Sequence, residues 1–147
     1  IYSAKHRNLL IEDSRLINVS GNTFRRHTPK YGTGVHFVRS TDITFTGCSI
    51  HDETEEGQPD LTALLELDQC QRINITGSQF INGLIGIAAK DASHITLSAN
   101  TIHDTREKLI ANHGIKFTGK GDGNLAAHNS IGSFKSKAIE GNITEGN

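Results

Sequence analysis

The chain contains no methionine and no tryptophan, and among its 147 residues it has two prolines, two cysteines, two tyrosines and six phenylalanines. Its 15 Lys and Arg residues nearly balance its 16 Asp and Glu, for a net charge of −1. That balance excludes the basic footprint expected of a nucleic-acid or membrane-surface binder. No apolar run approaches the length of a bilayer span, and no signal peptide is visible in the first residues. Two cysteines, Cys48 and Cys70, neither force nor exclude a disulfide. Aromatic side chains are scarce, and Tyr31 is the one placed in a loop. A chain that starts at Ile1 and lacks methionine is expected to be an excised piece or processed product whose localisation signals have been removed.

What the chain does have is recurrence. Leu9–Phe24 reads LLIEDSRLINVSGNTF, and Leu64–Phe80 reads LLELDQCQRINITGSQF. Val35–Ile50 and Gly86–Ile102 keep the same skeleton, Gly114–Ile131 is a distorted fifth copy, and a sixth begins at Lys137. Self-similarity at this spacing marks a solenoid. One apolar column runs through Ile17, Ile43, Ile73, Ile95 and Leu125, and a second through Val19, Phe45, Ile75, Leu97 and Ala127. Two more run through Leu9/Val35/Leu65/Ile87/Ile115 and Ile11/Phe37/Leu67/Ala89/Phe117. Apolar and polar residues alternate within each segment, which is the period of a β-strand, and no window sustains a helical stripe.

Repeats of about 22 to 30 residues with two or three short strands each describe a parallel β-helix, whose coils bury their inward side chains by stacking. Small hydrogen-bonding residues recur at one bend, at Asn22, Cys48, Ser78, Asn100 and Asn129, where they can satisfy exposed backbone groups. An antiparallel β-sandwich would also alternate, but it would have no reason to repeat residue identity in register. The expected fold is therefore all-β, a single domain of about five to six coils. The coils fall near 9–34, 35–62, 63–85, 86–113, 114–136 and 137–147.

The segments NTFRR, NTIHD and SQFIN carry an N-x-[IF]-x-[DN] cadence. In this the chain resembles the right-handed parallel β-helix repeats of the pectate-lyase-like superfamily. The resemblance covers essentially the whole chain. It implies a right-handed helix and one of that superfamily's roles: a polysaccharide lyase, a hydrolase, an epimerase or a phage tailspike. Both ends cut through the pattern, so further coils of the parent chain, or a homotrimer of the tailspike kind, are expected to cover them. A polysaccharide partner and a location outside the cell or on a virion follow from the resemblance; no nucleic acid or membrane partner is expected.

Insertions gather after the Phe24/Ile50/Phe80/Ile102/Ile131 column, at 25–34, 51–62, 81–85, 103–113 and 132–136. Insertions on one side of a solenoid commonly build its binding face. The first loop is basic (Arg25, Arg26, Lys30) and the next acidic (Asp52, Glu53, Glu55, Glu56, Asp60), so the two either pair their charges or form a wall that contacts sugar or a cation. The strand after these loops offers two outward columns. They are Leu10, His36, Glu66, Ala88, Lys116 and Glu140, and Glu12, Val38, Asp68, Lys90 and Thr118.

Glu66 and Asp68, two apart on one strand, have backbones about 7 Å apart and form a candidate carboxylate pair for glycoside cleavage. A lyase or epimerase acting on a uronic acid would instead draw on His36, Lys90 and Lys116 as base and cations. Arg25, Arg26, Tyr31, Glu12 and His103 are the candidates for substrate contact. No cofactor is called for. Calcium has one place it could bind, the oxygen-rich run Asp52, Glu53, Glu55, although the run lacks the periodicity of a calcium loop. His51-Asp52 and His103-Asp104 lie two coils apart, about 10 Å, too far to share one ion. Gly119–Gly123 (GKGDG) lacks the context of a phosphate-binding loop and reads as a two-residue insertion into a coil.

Overall fold

A computed structural model of the chain describes residues 6–26, 34–53 and 63–146. These residues form seventeen strands in three parallel sheets; each of the first five coils gives one strand to every sheet, and the sixth gives one to the first and one to the second. The first sheet holds Leu9–Glu12, Val35–Val38, Leu65–Asp68, Ile85–Lys90, His113–Thr118 and Lys137–Glu140. The second holds Arg15–Ser20, Thr41–Thr46, Gln71–Thr76, Ser93–Ser98, Leu125–Ala127 and Thr144–Gly146. The third holds Thr23–Arg26, Ser49–Asp52, Gln79–Ile81, Thr101–His103 and Ser130–Ile131. This is the parallel β-helix that the repeats predict, with five three-strand coils and a sixth of two strands. Among the described residues there is no helix of the length and apolarity needed to cross a membrane.

Register makes each sequence column a physical file. Leu9, Val35, Leu65, Ile87, Ile115 and Ile139 face one another from coil to coil. Ile17, Ile43, Ile73 and Ile95 do the same in the second sheet. Inward residues from all three sheets merge into one core, and Phe45 lies at its centre. Its ring stacks on Phe24 at 6.4 Å and on Phe80 at 6.3 Å, and meets the edge of Phe37 at 6.1 Å. Offset and edge-on rings at these distances add to the stabilisation from burial alone.

Bends are built from repeated backbone geometry. Asp13, Arg39, Gln69 and Asp91 each take a left-handed conformation just past the first sheet, and Gly21, Gly47 and Gly77 do so past the second. The small residues at the second bend bond from coil to coil. Cys48 N donates to Ser78 Oγ (3.2 Å), Ser78 N to Asn100 Oδ1 (3.0 Å) and Asn100 N to Asn129 Oδ1 (3.0 Å). A second file of this kind, Ser14, Ser40, Cys70 and Ala92, lines the other bend and was not read from the sequence; Ser14 N donates to Ser40 Oγ at 3.1 Å. Both cysteines are free and buried in these files. Gly86 and Gly114 allow a close approach between coils. A Cβ on Gly86 would lie 2.4 Å from the Ile102 side chain and 2.7 Å from the Gly114 carbonyl oxygen.

The fifth coil corrects the sequence alignment. Leu125 pairs with Thr96 and Ala126 with Leu97, so Ala126 occupies the inward place expected of Ala127. Leu125, expected inside, is 37% exposed. Gly119–Gly123 therefore inserts one residue, not two, and Asn124 fills the column of Ile95. Its amide is fully used there: Oδ1 accepts from Ile95 N (3.0 Å), and Nδ2 donates to the carbonyls of Ala92 (3.0 Å) and Asn142 (3.2 Å). An amide in a file of isoleucines hid the register.

Candidate functional site

The outward columns of the first sheet are in register as the sequence suggested. His36 faces Glu66, Glu66 faces Ala88, Ala88 faces Lys116 and Lys116 faces Glu140. Val38, Asp68, Lys90 and Thr118 form the parallel row. His36, Glu66, Asp68, Lys90 and Lys116 together line a single open hollow of ≈ 320 Å³, with Ala88 as its floor and Ile85 beside it. The five catalytic candidates thus meet in one place.

Their partners divide into two clusters on either side of Ala88. On one side Glu66 Oε2 accepts from Arg7 Nη2 at 2.7 Å and lies 3.7 Å from His36 Nδ1. The Glu66 side chain is only 16% exposed, so this ion pair is partly shielded from water. Among the described residues its other oxygen, Oε1, is buried with no hydrogen-bond partner, as is Asp68 Oδ1. On the other side Glu140 Oε2 accepts from His113 Nε2 at 3.0 Å, and Glu140 Oε1 lies 3.7 Å from Lys116 Nζ. The hydrogen bond from His113, helped by the charge of Lys116, holds the Glu140 carboxyl below the ordinary carboxylate range against some desolvation. Among the described residues the Lys90 ammonium has no hydrogen-bonded or ionic partner, and Lys90 stands one strand from Asp68.

Arg7 and His113, which hold Glu66 and Glu140, are residues that the sequence reading missed. Each precedes an inward residue of the first sheet by two positions, Leu9 and Ile115, as Ile85 precedes Ile87. That offset recurs at the start of the strand, where backbone register pairs Ile85 with His113, and is legible in principle. It was hidden because Arg7 lies before the first recognisable repeat and its contact, Glu66, is two coils away.

The candidates for substrate contact are spread more widely. Glu12 is on the first sheet, but its carboxylate is taken by Arg39, which also binds Asp13. Arg25 and His103 stand on the third sheet, apart from the hollow. Arg25 pairs with Glu53 at 2.7 Å, which is the charge pairing between neighbouring loops, and His103 Nε2 meets Ser130 Oγ at 3.1 Å. Arg26 faces Asp52 by backbone register, and its side chain lies outside the described residues. Tyr31 and Glu55 also lie outside them. Asp52 is buried. Among the described residues no three His, Cys, Asp or Glu side chains group as a metal site would require.

The segment leading from the third sheet to His113 is fastened by Asp104, whose side chain has no exposure. Its carboxylate accepts from Arg106 Nε (2.7 Å), Ile110 N (2.8 Å) and Ala111 N (2.8 Å). Burial pushes this carboxyl up, but the Arg106 guanidinium and the backbone N–H groups outweigh it and hold the group at about 2, against an ordinary 3.8. The stabilisation is complete above pH 3.8 and is lost as pH falls towards 2. Asp104→Ala strands Arg106 and two N–H donors and is expected to cost about 3 kcal/mol. Urea unfolding checks this: the gap between parent and variant should hold at neutral pH and narrow at pH 2–3.

Three stacked parallel sheets in continuous coil-to-coil register define the protein as a β-solenoid, and its first sheet carries a hollow rimmed by charged residues. The chain belongs to the right-handed β-helix family, whose family model, the right handed beta helix region, matches residues 1–142. No curated protein matches the chain significantly.

Proposed function

We propose that this chain is a carbohydrate-active β-helix of the pectate-lyase-like kind, which lays an extended polysaccharide across the strands of its first sheet and cleaves it at the hollow. One observation carries the reading. Glu66 and Asp68 lie two residues apart on one strand and one face, and both line the same ≈ 320 Å³ hollow. Paired carboxyl groups within reach of one glycosidic bond are the arrangement by which a sugar linkage is protonated on one side and attacked on the other. Glu66 is anchored by Arg7 through Oε2. Lys90 and Lys116, one and two coils along, supply positive charge against charge developing on the substrate. The site asks for no cofactor under this reading. The setting is extracellular or on a virion surface, with further coils or a trimeric assembly covering the solenoid ends.

A second reading, a glycan-binding shaft or adhesin without catalysis, draws support from the aromatics. Phe24, Phe37, Phe45, Phe80 and Phe117 are buried and Phe134 packs on the core, so among the described residues no exposed aromatic ring offers a sugar platform. A panel of uronate-containing and neutral polysaccharides separates the two. Cleavage yields new reducing ends, and β-elimination also yields absorbing unsaturated products. Signal from at least one polymer is the expected result. Binding with neither signal leaves the shaft reading and removes the catalytic one.

A further inference from the structure

We infer that Ala88 is the specificity-determining floor of a single-ring subsite, over which one sugar ring of the polymer lies flat on an unsubstituted face. The inference rests on the glycan reading above and names where and how the ring sits. In the outward row of Leu10, His36, Glu66, Ala88, Lys116 and Glu140, Ala88 alone ends at Cβ. Its neighbours on both sides are drawn away from it. Glu66 is held by Arg7, towards the first coil, and Lys116 lies beside Glu140, towards the sixth. The gap this leaves spans two strand spacings, about 9–10 Å.

The chemistry of the gap is divided as a pyranose is divided. Its floor and one side are apolar, from Ala88 and Ile85, and its rim is charged, from Glu66, Asp68, Lys90 and Lys116. A sugar ring likewise presents a C–H face and a polar edge of hydroxyl groups. The volume, ≈ 320 Å³, sits at the small end of the range for ligand sites, about 300–1,000 Å³, and suits one ring with its linkages more than a branched cluster. A ring seated over Ala88 brings one of its linkages above the Glu66–Asp68 strand, one strand away. Rings with a bulky axial group on the lower face are excluded by contact with the strand.

The test is a binding series with oligomers of β-1,4-glucose, α-1,4-galacturonate and β-1,4-mannuronate, measured by calorimetry on the parent, Ala88→Leu and Thr44→Leu. Thr44 is exposed on the second sheet, away from the hollow, and reports any general effect of an added surface leucine. For whichever oligomer the parent binds, Ala88→Leu is expected to raise Kd at least about tenfold at an unchanged Tm, with Thr44→Leu unaltered. If Ala88→Leu disturbs the fold, Ala88→Val fills less of the gap, and a smaller rise in Kd in a folded variant supports the subsite equally. Equal affinity of the parent and a folded Ala88 variant overturns the subsite and leaves the glycan reading standing. A parent that binds none of the oligomers overturns the glycan reading, and the subsite with it.

Discussion

Glu66→Gln and Asp68→Asn are each expected to lower turnover by about 10³-fold while leaving the melting temperature and glycan binding close to parental. Both side chains point out of the core, and both substitutions keep shape while removing charge. The Glu66 amide can still contact Arg7, so its placement survives although the carboxylate chemistry does not. If the two groups act as a unit, the double variant should lose little more than either single one, because removing one member already disables the pair. Additive losses would point to two independent roles. Turnover unchanged in both single variants would remove these residues from catalysis while the fold account stood.

Phe45→Ala carries the largest expected effect on stability, about 4 kcal/mol. Phe45 has no exposure and touches rings from three other strands, Phe24 and Phe80 by stacking and Phe37 by its edge. Truncation therefore removes the burial of one large ring and leaves three others facing a cavity. The position also links the second coil to the first and the third, so the loss falls on the contacts by which neighbouring coils stabilise each other. Urea unfolding followed by circular dichroism should show the midpoint fall with the slope preserved. A loss below about 1 kcal/mol would mean that the coils relax into the space, contrary to a core of closely packed files.

Why so much of this was legible follows from the repeat itself. A coil that stacks on its neighbour must match it residue by residue, so columns read from sequence become files in space. The columns of the sequence therefore set His36, Glu66, Ala88, Lys116 and Glu140 side by side, as the strand register does. The reading failed where the repeat is broken. Asn124 replaces an apolar side chain in a file and supplies its own hydrogen bonds, so polarity misled the alignment by one residue. Arg7 belongs to the site through a contact two coils away, which no local spacing encodes. Side-chain pairing was also beyond the sequence. Nothing in the spacing says that Glu12 is claimed by Arg39.

The central claim, that ligand lies on the first sheet over the hollow, is tested most directly by mapping amide and methyl shifts of Glu66→Gln as a bound oligosaccharide is titrated in. The shifts should cluster at Asp68, Ala88, Lys90 and Lys116 and leave Thr44, Asn74 and Thr96 on the second sheet unmoved. Saturable shifts confined to the second or third sheet, with Ala88 silent, would contradict it.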